Sequence, residues 1–380
     1  MLRVLLVHAS FGIGGTETQL RNMVKYADRS QVQFEVAWTY HSPGVRYEAF
    51  KELGVPLHGV RDTKLLVGFN RRLEQLIRSR RYDAVAGFCP QNIGRVVQAA
   101  HACGVPSRLA CYRSASKKLN WHLARSAYML IDRWLAMRHA TRLLGNSPAV
   151  LDGIFPHRNR QSDRYRVIPN GLEPERFNKP IDRDAVRRQL GIDPQDLVIG
   201  HIGRFAGMKN HRTIIRVAAE LARRFDRVRL LLVGDGDMKA SIMNDLRETG
   251  MLDHAILTGV RADVPEMLAC MDLFLFLSLH EGLPNSLLEA MAAGVPFVAS
   301  DIAPNFQAVP PAGRQYLAGP KDIRRLTELA TELLNDRGRR EELSAACREH
   351  VNREYTVQNC LGKFLQTIRA DLQAAGQAEA

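Results

Sequence analysis

The sequence lacks the features of a membrane-spanning or secreted protein. Among its 380 residues, no apolar run approaches the roughly 18 residues of a membrane-spanning helix. The N-terminus, Met1 to His8, contains only a short apolar stretch without a cleavage-site pattern, so we predict no signal peptide. The six cysteines show no paired spacing, and we expect buried thiols of a cytosolic protein rather than disulfides or metal ligands.

The dinucleotide-binding fingerprint is also incomplete. The strand predicted over residues 2–7 is followed by Gly14 and Gly15, but Glu17 stands where the fingerprint requires a third glycine. This departure disfavours an NAD-dependent dehydrogenase. The glycine pair has two interpretations: a turn whose backbone amides face a phosphate, or a tight turn forced by positive φ angles.

Acidic residues are scarce in the first half of the chain. The net charge is +13, and residues 1–176 hold 27 Lys and Arg against 13 Asp and Glu, whereas residues 177–380 hold 26 against 27. The first half should therefore attract an anionic partner, which could be nucleic acid, an acidic membrane surface or a phosphorylated acceptor.

The basic excess is strongest over residues 108–142, where eight Lys and Arg accompany one acid, Asp132. Trp121, Trp134 and several aliphatic residues lie among them. Such a helix suits a membrane–water interface, but it could also pack its apolar residues inward. No nucleic-acid recognition motif accompanies the charge, so we predict no nucleic-acid partner.

Strand and helix patterns alternate along the chain, which predicts an α/β fold with parallel sheets. The length suits two domains. Residues 164–179 contain two prolines and the turn Asn170-Gly171, so we predict a linker there and domains over 1–172 and 173–355. Strands are predicted over residues 2–7, 32–38, 84–88, 108–112, 198–202, 229–233, 255–257 and 273–277. We expect the tail from Gln373 to be frayed.

A phosphate site is predicted after the strand over 273–277. Gly282 and Pro284 form a turn, and Ser286 and Glu289 have the spacing of a capping box at a helix start. A helix N-terminus presents free backbone N–H groups and a positive dipole end, which suit a phosphate. Glu281 and Glu289 place a carboxylate on either side of this turn.

A second loop offers two cations for the same kind of ligand. Arg204 and Lys209 follow the strand over 198–202, with Gly207 between them. Two cations on one loop can neutralise a diphosphate, which is what a departing nucleotide needs.

These strings resemble one enzyme family. Glu281 and Glu289 with Gly282-Leu283-Pro284-Asn285, and Gly203-Arg204 with Lys209, are similar to the motifs of retaining nucleotide-sugar glycosyltransferases of family 4. The resemblance covers nearly the whole chain and implies the GT-B fold, two Rossmann-like domains facing each other across a cleft. It also implies that the first domain binds the acceptor, the second binds the nucleotide sugar, and a helix over 356–374 packs back on the first.

The resemblance implies a role for each matching residue. Glu281, Arg204 and Lys209 would be catalytic. The two cations would bind the diphosphate, and Glu281 would bind the transferred sugar. Glu289 would bind the ribose, and backbone groups at Val260 and Arg261 the base. The implied donor-binding residues are Gly14, Gly15, Gly203, Val260, Arg261, Gly282, Leu283, Pro284, Asn285 and Glu289. We expect neither a metal nor a cofactor, since the cations would replace a divalent ion, and we expect Asp263 to cap a helix.

One position departs from the family. Many members carry a His after the strand that matches 108–112, where this chain has Tyr112-Arg113-Ser114. A guanidinium does not titrate, so Arg113 would bind a phosphate or hydroxyl, unless it is an ordinary surface Arg. We predict an acceptor site at Arg113, Lys117 and Lys118.

The sequence thus predicts a retaining, metal-independent hexosyltransferase of bacterial surface polysaccharide or lipopolysaccharide synthesis. Its acceptor would be a lipid-linked or phosphorylated glycan, and it would be cytoplasmic, peripheral at the inner face of the plasma membrane. A GT-B sugar-nucleotide epimerase and a basic nucleic-acid-binding protein are the alternatives. The donor sugar and base stay open.

Overall fold

The computed structural model describes residues 1–12, 14–40, 42–60, 67–114 and 123–379. The chain divides into two compact units. Unit 1 comprises Met1–Gly171 and Val357–Ala380, and unit 2 comprises Leu172–Thr356. Each contains a parallel sheet with helices between successive strands, which confirms the predicted α/β class.

Unit 1 contains, among the described residues, a seven-stranded sheet of order β3-β2-β1-β4-β5-β6-β7. Its strands are β1 (Leu2–His8), β2 (Val32–Trp38), β3 (Leu57–Gly59), β4 (Ala84–Gly87), β5 (Ser107–Tyr112), β6 (Arg142–Gly145) and β7 (Tyr165–Val167). Its first helices are α1 (Gly15–Lys25), α2 (Tyr47–Lys51), α3 (Val67–Arg80), α4 (Ile93–Ala102), α5 (Leu123–His139) and α6 (Pro148–Ile154).

Unit 2 contains a six-stranded sheet of order β10-β9-β8-β11-β12-β13 within its described residues. The strands are β8 (Leu197–Ile202), β9 (Val228–Val233), β10 (Ala255–Gly259), β11 (Leu273–Phe276), β12 (Phe297–Ser300) and β13 (Leu317–Ala318). The helices are α7 (Arg183–Gln189), α8 (His211–Ala222), α9 (Lys239–Glu248), α10 (Val264–Ala269), α11 (Asn285–Ala293), α12 (Ala303–Ala308), α13 (Ile323–Asn335) and α14 (Arg337–Glu354). Four short 3-10 helices cover Pro174–Arg176, Gly207–Lys209, Leu252–His254 and Pro311–Tyr316.

The final helix, α15 (Val357–Glu379), belongs to unit 1. Strand β1 shows why: alternate side chains of a strand point to opposite faces, so both faces must be covered. Val4 and Leu6 pack in one cluster with α1 and with Phe364 of α15, while Leu5 and Val7 pack in another with α3 and α4.

The structure corrects two sequence predictions. Strand β7 lies inside the predicted linker over 164–179, where its three residues pair with β6 as an edge strand. The tail that was expected to fray from Gln373 is helical to Glu379, because α15 keeps Ile368 and Asp371 buried against unit 1.

All six cysteines are free thiols, and five of them are buried, as the sequence predicts. In the part of the chain that the structure describes, no helix combines the length and the apolar character needed to span a bilayer.

Candidate active site

An ion pair joins two loops of unit 2 where the strand order reverses. Strand β8 lies between β9 and β11, and ligands of open parallel sheets bind beyond the strand ends at such a point. Lys209, in the loop after β8, donates from Nζ to Glu281 Oε1 in the loop after β11 at 2.7 Å. Both side chains are largely buried, 16% and 11% exposed. The structure thus brings together two of the three predicted catalytic residues.

Asn210 fixes the backbone beside this pair. It adopts a left-handed conformation with φ of 56°, which Asn tolerates better than most residues. Its Nδ2 donates to the carbonyls of Leu277 at 3.0 Å and Pro320 at 2.7 Å. The amide of Leu279 also donates to the carbonyl of Met208. These bonds hold the Lys209 loop against the Glu281 loop.

Glycines allow the loops after β8 and β9 to touch. A Cβ at Gly234, whose φ is +147°, would lie 2.0 Å from the carbonyl oxygen of Gly203. A Cβ at Gly236 would lie 2.6 Å from the carbonyl oxygen of Phe205. The amide of Phe205 donates to the carbonyl of Asp235, which closes the contact. Only glycine fits at these two positions.

Two buried histidines lie beneath Lys209 and remain neutral. Burial lowers the pKa of His201 well below its ordinary range and that of His211 to about 4, and the charge of Lys209 lowers both further. Nδ1 of His201 donates to the carbonyl of Leu275 at 2.8 Å. The Lys209 ammonium also lies 5.0 Å from the ring centre of Phe276. Lys209 is therefore the positive charge of this cluster.

Helix α11 begins where the phosphate site was predicted, but not with the predicted cap. Its cap residue is Pro284, and no side chain hydrogen-bonds to the first turn as a cap. The capping box of Ser286 and Glu289 is therefore wrong, because the helix begins at Asn285 and Glu289 lies beyond its first turn. Leu283 and Pro284 are buried.

Glu289 is the most perturbed carboxyl of this site. Burial raises its pKa to about 7, although the charges of Arg176 and Lys209 lower it. Among the residues that the structure describes, none hydrogen-bonds to it. With its pKa raised in this way, Glu289 can donate as well as accept a hydrogen bond near neutral pH.

Three of the predicted residues of unit 2 are exposed: Arg204, Val260 and Arg261. Arg204 forms no hydrogen bond or ion pair with any described residue. Val260 is exposed after β10, while Arg261 donates from Nε to Asp263 at 2.8 Å. Asp263 stands at the cap position of α10, yet its side chain binds Arg261 instead of the helix.

Two Asp-x-Asp sequences occur in unit 2, at 182–184 and 235–237. Asp182 caps α7 by accepting from the amide of Ala185, and Asp235 accepts from the amide of Gly236. No group of three or more His, Cys, Asp or Glu side chains within the described ranges is arranged as a metal site.

In unit 1, the turn before α1 encloses a carboxylate. Gly14 precedes the helix with φ of −167°, so the interpretation as a positive-φ turn is wrong. A Cβ at Gly14 would lie 2.5 Å from Oε2 of Glu17. Oε1 of Glu17 lies 3.2 Å from Nε2 of His8, the last residue of β1. This pair was not predicted from the sequence, although a strand end and the first turn of the next helix are neighbours in any βα unit.

Arg113 is not a surface residue. Its Nη1 donates to the carbonyl of Ile168 at 3.1 Å and to Oδ1 of Asn170 at 3.2 Å. Its guanidinium lies 5.0 Å from the ring centre of Phe88, and burial lowers its pKa. Its Nε and Nη2 are buried without a hydrogen-bond partner. Lys117 and Lys118, with which it was grouped, lie outside the described residues.

Helix α5 divides the apolar residues of the basic segment between two faces. Asp132 accepts from the amide of Arg95 at 3.2 Å at the N-terminus of α4, and Leu135 and Ala136 are buried. Leu130 and Trp134 are 60% and 59% exposed on the opposite face. Met129, Ile131 and Met137 are exposed as well. Packing against unit 1 therefore accounts for only some of the apolar residues of this helix.

The chain matches two family descriptions. Residues 182–350 match the family described as "Glycosyl transferases group 1", and residues 14–171 match a "Glycosyl transferase 4-like domain". Together these matches span most of both units.

The chain is also similar to individual glycosyltransferases in sequence and in structure. EpsF of Bacillus subtilis (strain 168), which bears the name of a glycosyltransferase, is 30% identical over 308 residues, 79% of each chain. An Escherichia coli enzyme, UDP-Gal:alpha-D-GlcNAc-diphosphoundecaprenol alpha-1,3-galactosyltransferase, is 28% identical over 260 residues, 65% of this chain and 64% of its own. The crystal structure of Anabaena Alr3699/HepE in complex with UDP-glucose superposes with a TM-score of 0.83 at 20% identity, covering 97% of this chain and 100% of that one.

Proposed function

The chain belongs to the GT-B glycosyltransferases described as glycosyl transferases group 1, and we propose that it transfers a hexose from a nucleoside diphosphate sugar with retention of configuration and without a metal. The Lys209–Glu281 ion pair carries this proposal, because it places a cation and a carboxylate side by side at the sheet's switch point. The UDP-glucose in the Anabaena structure supports the donor class.

The chemistry requires the anomeric C–O bond to break while charge grows on the diphosphate. Lys209, exposed Arg204 and the amides at the start of α11 would stabilise that charge. Glu281 would hold Lys209 in place and bind hydroxyls of the transferred sugar. Glu289 would accept the ribose hydroxyls.

The proposed retention would take place by attack on the same face of the sugar. Glu281 is committed to Lys209, so it is poorly placed as a covalent nucleophile. The acceptor hydroxyl would then attack from the face that the phosphate leaves, and the departing phosphate oxygen would take its proton. NMR of the product should show the same anomeric configuration as in the donor.

Substitution of the three residues tests the site. Lys209→Ala, Glu281→Ala and Arg204→Ala should each abolish transfer, by about 100-fold or more, while the melting temperature changes little. Lys321→Ala, which removes an exposed lysine of unit 2, should be silent. Normal turnover by all three site variants would refute the assignment.

The base and sugar of the donor can be found by ligand stabilisation. A ligand that binds only the folded protein raises the melting temperature in proportion to its affinity and concentration. A thermal-shift screen of UDP-, GDP- and ADP-sugars should give one base that stabilises the protein. An absence of stabilisation by every nucleotide sugar would count against the donor class.

The acceptor would be a lipid-linked or phosphorylated glycan in the synthesis of a bacterial surface polysaccharide. The E. coli relative names a glycan on a diphosphoundecaprenol lipid as its acceptor. Unit 1, which holds the basic excess, is the proposed acceptor-binding unit, with Arg113 and the Lys117–Lys118 pair as candidates. Transfer to a lipid extract, but not to a deacylated one, would support this acceptor class.

Helix α5 would hold unit 1 on an acidic membrane from the cytoplasmic side. Leu130, Trp134 and Met137 recur along one exposed face at helical spacing, and Arg133 and Arg138 are exposed beside them. Tryptophan and aliphatic side chains enter the headgroup region while arginines pair with anionic lipids.

Co-sedimentation with vesicles tests the membrane proposal. The protein should bind vesicles of phosphatidylglycerol and phosphatidylcholine and not vesicles of phosphatidylcholine alone. Leu130→Ser with Trp134→Ser should weaken binding about tenfold or more, because each side chain loses about 1.5–3 kcal/mol of apolar burial. Phe306→Ser removes an exposed aromatic from unit 2 and should change nothing. Equal binding to neutral vesicles, or an unaffected double variant, would contradict the proposal.

A further inference from the structure

A second charged pair, His8 and Glu17, lies at the switch point of unit 1. Strand β1 is flanked by β2 on one side and β4 on the other, so the strand order reverses there as it does at β8. His8 ends β1, and Glu17 lies in the first turn of α1. His8 is 4% exposed, so solvent has little access to its ring.

The contacts of His8 fix how many protons it holds. Its Nδ1 lies 3.2 Å from the carbonyl oxygen of Phe88, which can only accept, so Nδ1 carries a hydrogen. Its Nε2 lies 3.2 Å from Glu17 Oε1. A neutral imidazole with hydrogen on Nδ1 has a lone pair on Nε2, which would face an ionised carboxylate without a hydrogen between them. The pair therefore needs one shared proton.

The surroundings of Glu17 favour its ionised form. Burial raises the pKa of Glu17, but the hydrogen bond and charge of His8, together with the charge of Arg46, outweigh burial and lower it. Arg46 itself donates to Oγ1 of Thr18, the residue after Glu17. With the shared proton that the two contacts of His8 require, the pair carries no net charge.

Glu17 lies in the first turn of α1, beside the helix N-terminus that a ligand anion would approach. Its Oε2 lies against Gly14, where any Cβ would come within 2.5 Å. The glycine therefore makes room for a carboxylate of the chain itself. An uncompensated carboxylate in this turn would repel an anionic ligand, and the proton on His8 removes that charge.

We propose that His8 is a positioning residue whose shared proton neutralises Glu17 and holds it against Gly14, so that the Gly14–Gly15 turn can receive the anionic part of a nucleotide sugar. The inference rests on the proposed function for the identity of the ligand. The proton count rests on the geometry of unit 1 alone.

The location of the proton is measured by 15N NMR of His8. In the wild-type protein at pH 7, both ring nitrogens should carry hydrogen. In Glu17→Gln, the side-chain amide can donate to Nε2, so His8 should become neutral with hydrogen on Nδ1. A neutral His8 in the wild-type protein, or one that is unchanged by Glu17→Gln, would overturn the proposal whether or not the protein binds a nucleotide sugar.

The consequence for binding is measured with UDP-glucose, GDP-mannose and ADP-glucose at pH 7 and pH 9. For each of these nucleotide sugars that binds the wild-type protein, the dissociation constant should be about fivefold or more higher at pH 9 than at pH 7. Loss of the shared proton would leave the negative charge of Glu17 uncompensated. The dissociation constant should stay within about twofold in Glu17→Gln.

The His8→Asn variant separates charge from structure. It should bind weakly at both pH values, since Glu17 is then uncompensated throughout, and His8→Asn with Glu17→Gln should recover the affinity. Equal pH dependence in the wild type and Glu17→Gln, or no recovery in the double variant, would overturn the positioning role. A failure of all three sugars to bind would instead refute the proposed function, and the NMR result would still decide the proton.

Discussion

The two units place a charged pair at the same topological position but use different chemistry. In unit 2, Lys209 and Glu281 join the loops after β8 and β11. In unit 1, His8 joins β1 to α1 through Glu17 and to the end of β4 through Phe88. A lysine holds its charge across neutral pH, whereas a histidine needs a partner to do so. Lys209 brings its own hydrogens to Glu281, whereas the contact between His8 and Glu17 needs one shared proton.

The largest effect should come from breaking the pair of unit 2. A double-mutant cycle on Lys209→Ala and Glu281→Ala should show strong non-additivity, because each single variant leaves the other charge without its partner. We expect losses of about 100-fold to 1,000-fold in kcat/KM for each single variant and little further loss in the double variant. Steady-state kinetics of the four proteins at pH 7 measure these ratios. Losses that add in the double variant would contradict the direct pairing of Lys209 with Glu281.

Glycine substitutions should separate a packed loop from an open one. Gly234→Ala in unit 2 should lower the free energy of unfolding by about 2–4 kcal/mol, because its Cβ meets a carbonyl oxygen at 2.0 Å. Gly104 in unit 1 has a φ of +72°, but a Cβ added there would meet nothing within 4 Å. Gly104→Ala should therefore lower the free energy of unfolding by only about 1 kcal/mol. Urea titration measures both. Equal costs would show that the loops after β8 and β9 relax apart.

Glu289 should make the stability of unit 2 depend on pH. Its folded pKa of about 7 is above its ordinary value of 4.5, so between these values the folded state keeps a proton that the unfolded chain has lost. Stability should therefore fall as pH rises through this window, and Glu289→Gln should remove that loss. Relative to the wild type, the variant should gain about 1–3 kcal/mol between pH 5 and pH 8.

The control for this titration is Glu248→Gln, at an exposed carboxyl of the same unit. Thermal unfolding should give the same stability difference between Glu248→Gln and the wild type at pH 5 and at pH 8. A parallel pH dependence of wild type and Glu289→Gln would show that Glu289 titrates normally.

The smallest effect should distinguish two helix starts. Ser147 in unit 1 accepts from the amide of Val150 at 3.2 Å and caps α6, so Ser147→Ala should cost about 1 kcal/mol. Asp263 in unit 2 binds exposed Arg261 rather than α10, so Asp263→Ala should cost about 0.5 kcal/mol or less. Urea midpoints measure both. A larger loss from Asp263→Ala would indicate a capping bond that the side chain does not make here.

The sequence predicted the α/β fold because buried strands such as β11, Leu273–Phe276, are continuous apolar runs that can be recognised alone. Five strands were not predicted, and each has only two to four residues: β3, β6, β7, β12 and β13. Too few side chains repeat there to produce a pattern. The end of α15 was misjudged because its polar composition resembles a tail, while its burial depends on distant strands.

Within the site, residues on one continuous motif were easier to predict than partners. Lys209 and Glu281 were placed on one ligand by resemblance, but their direct ion pair depends on how two loops 72 positions apart meet. Asp132 looked like a lone acid in a basic helix, yet it binds the start of α4. The roles of Arg204, Val260 and Gly282 at the donor stay predictions, as does the acceptor site.

The most direct test is calorimetric titration of UDP, GDP and ADP into the wild-type protein and Lys209→Met. At least one nucleoside diphosphate should bind the wild-type protein, and Lys209→Met should weaken that binding about tenfold or more through loss of a charge-assisted contact to the diphosphate. Equal affinity in the two proteins, or no binding of any of the three, would contradict a diphosphate site at Lys209.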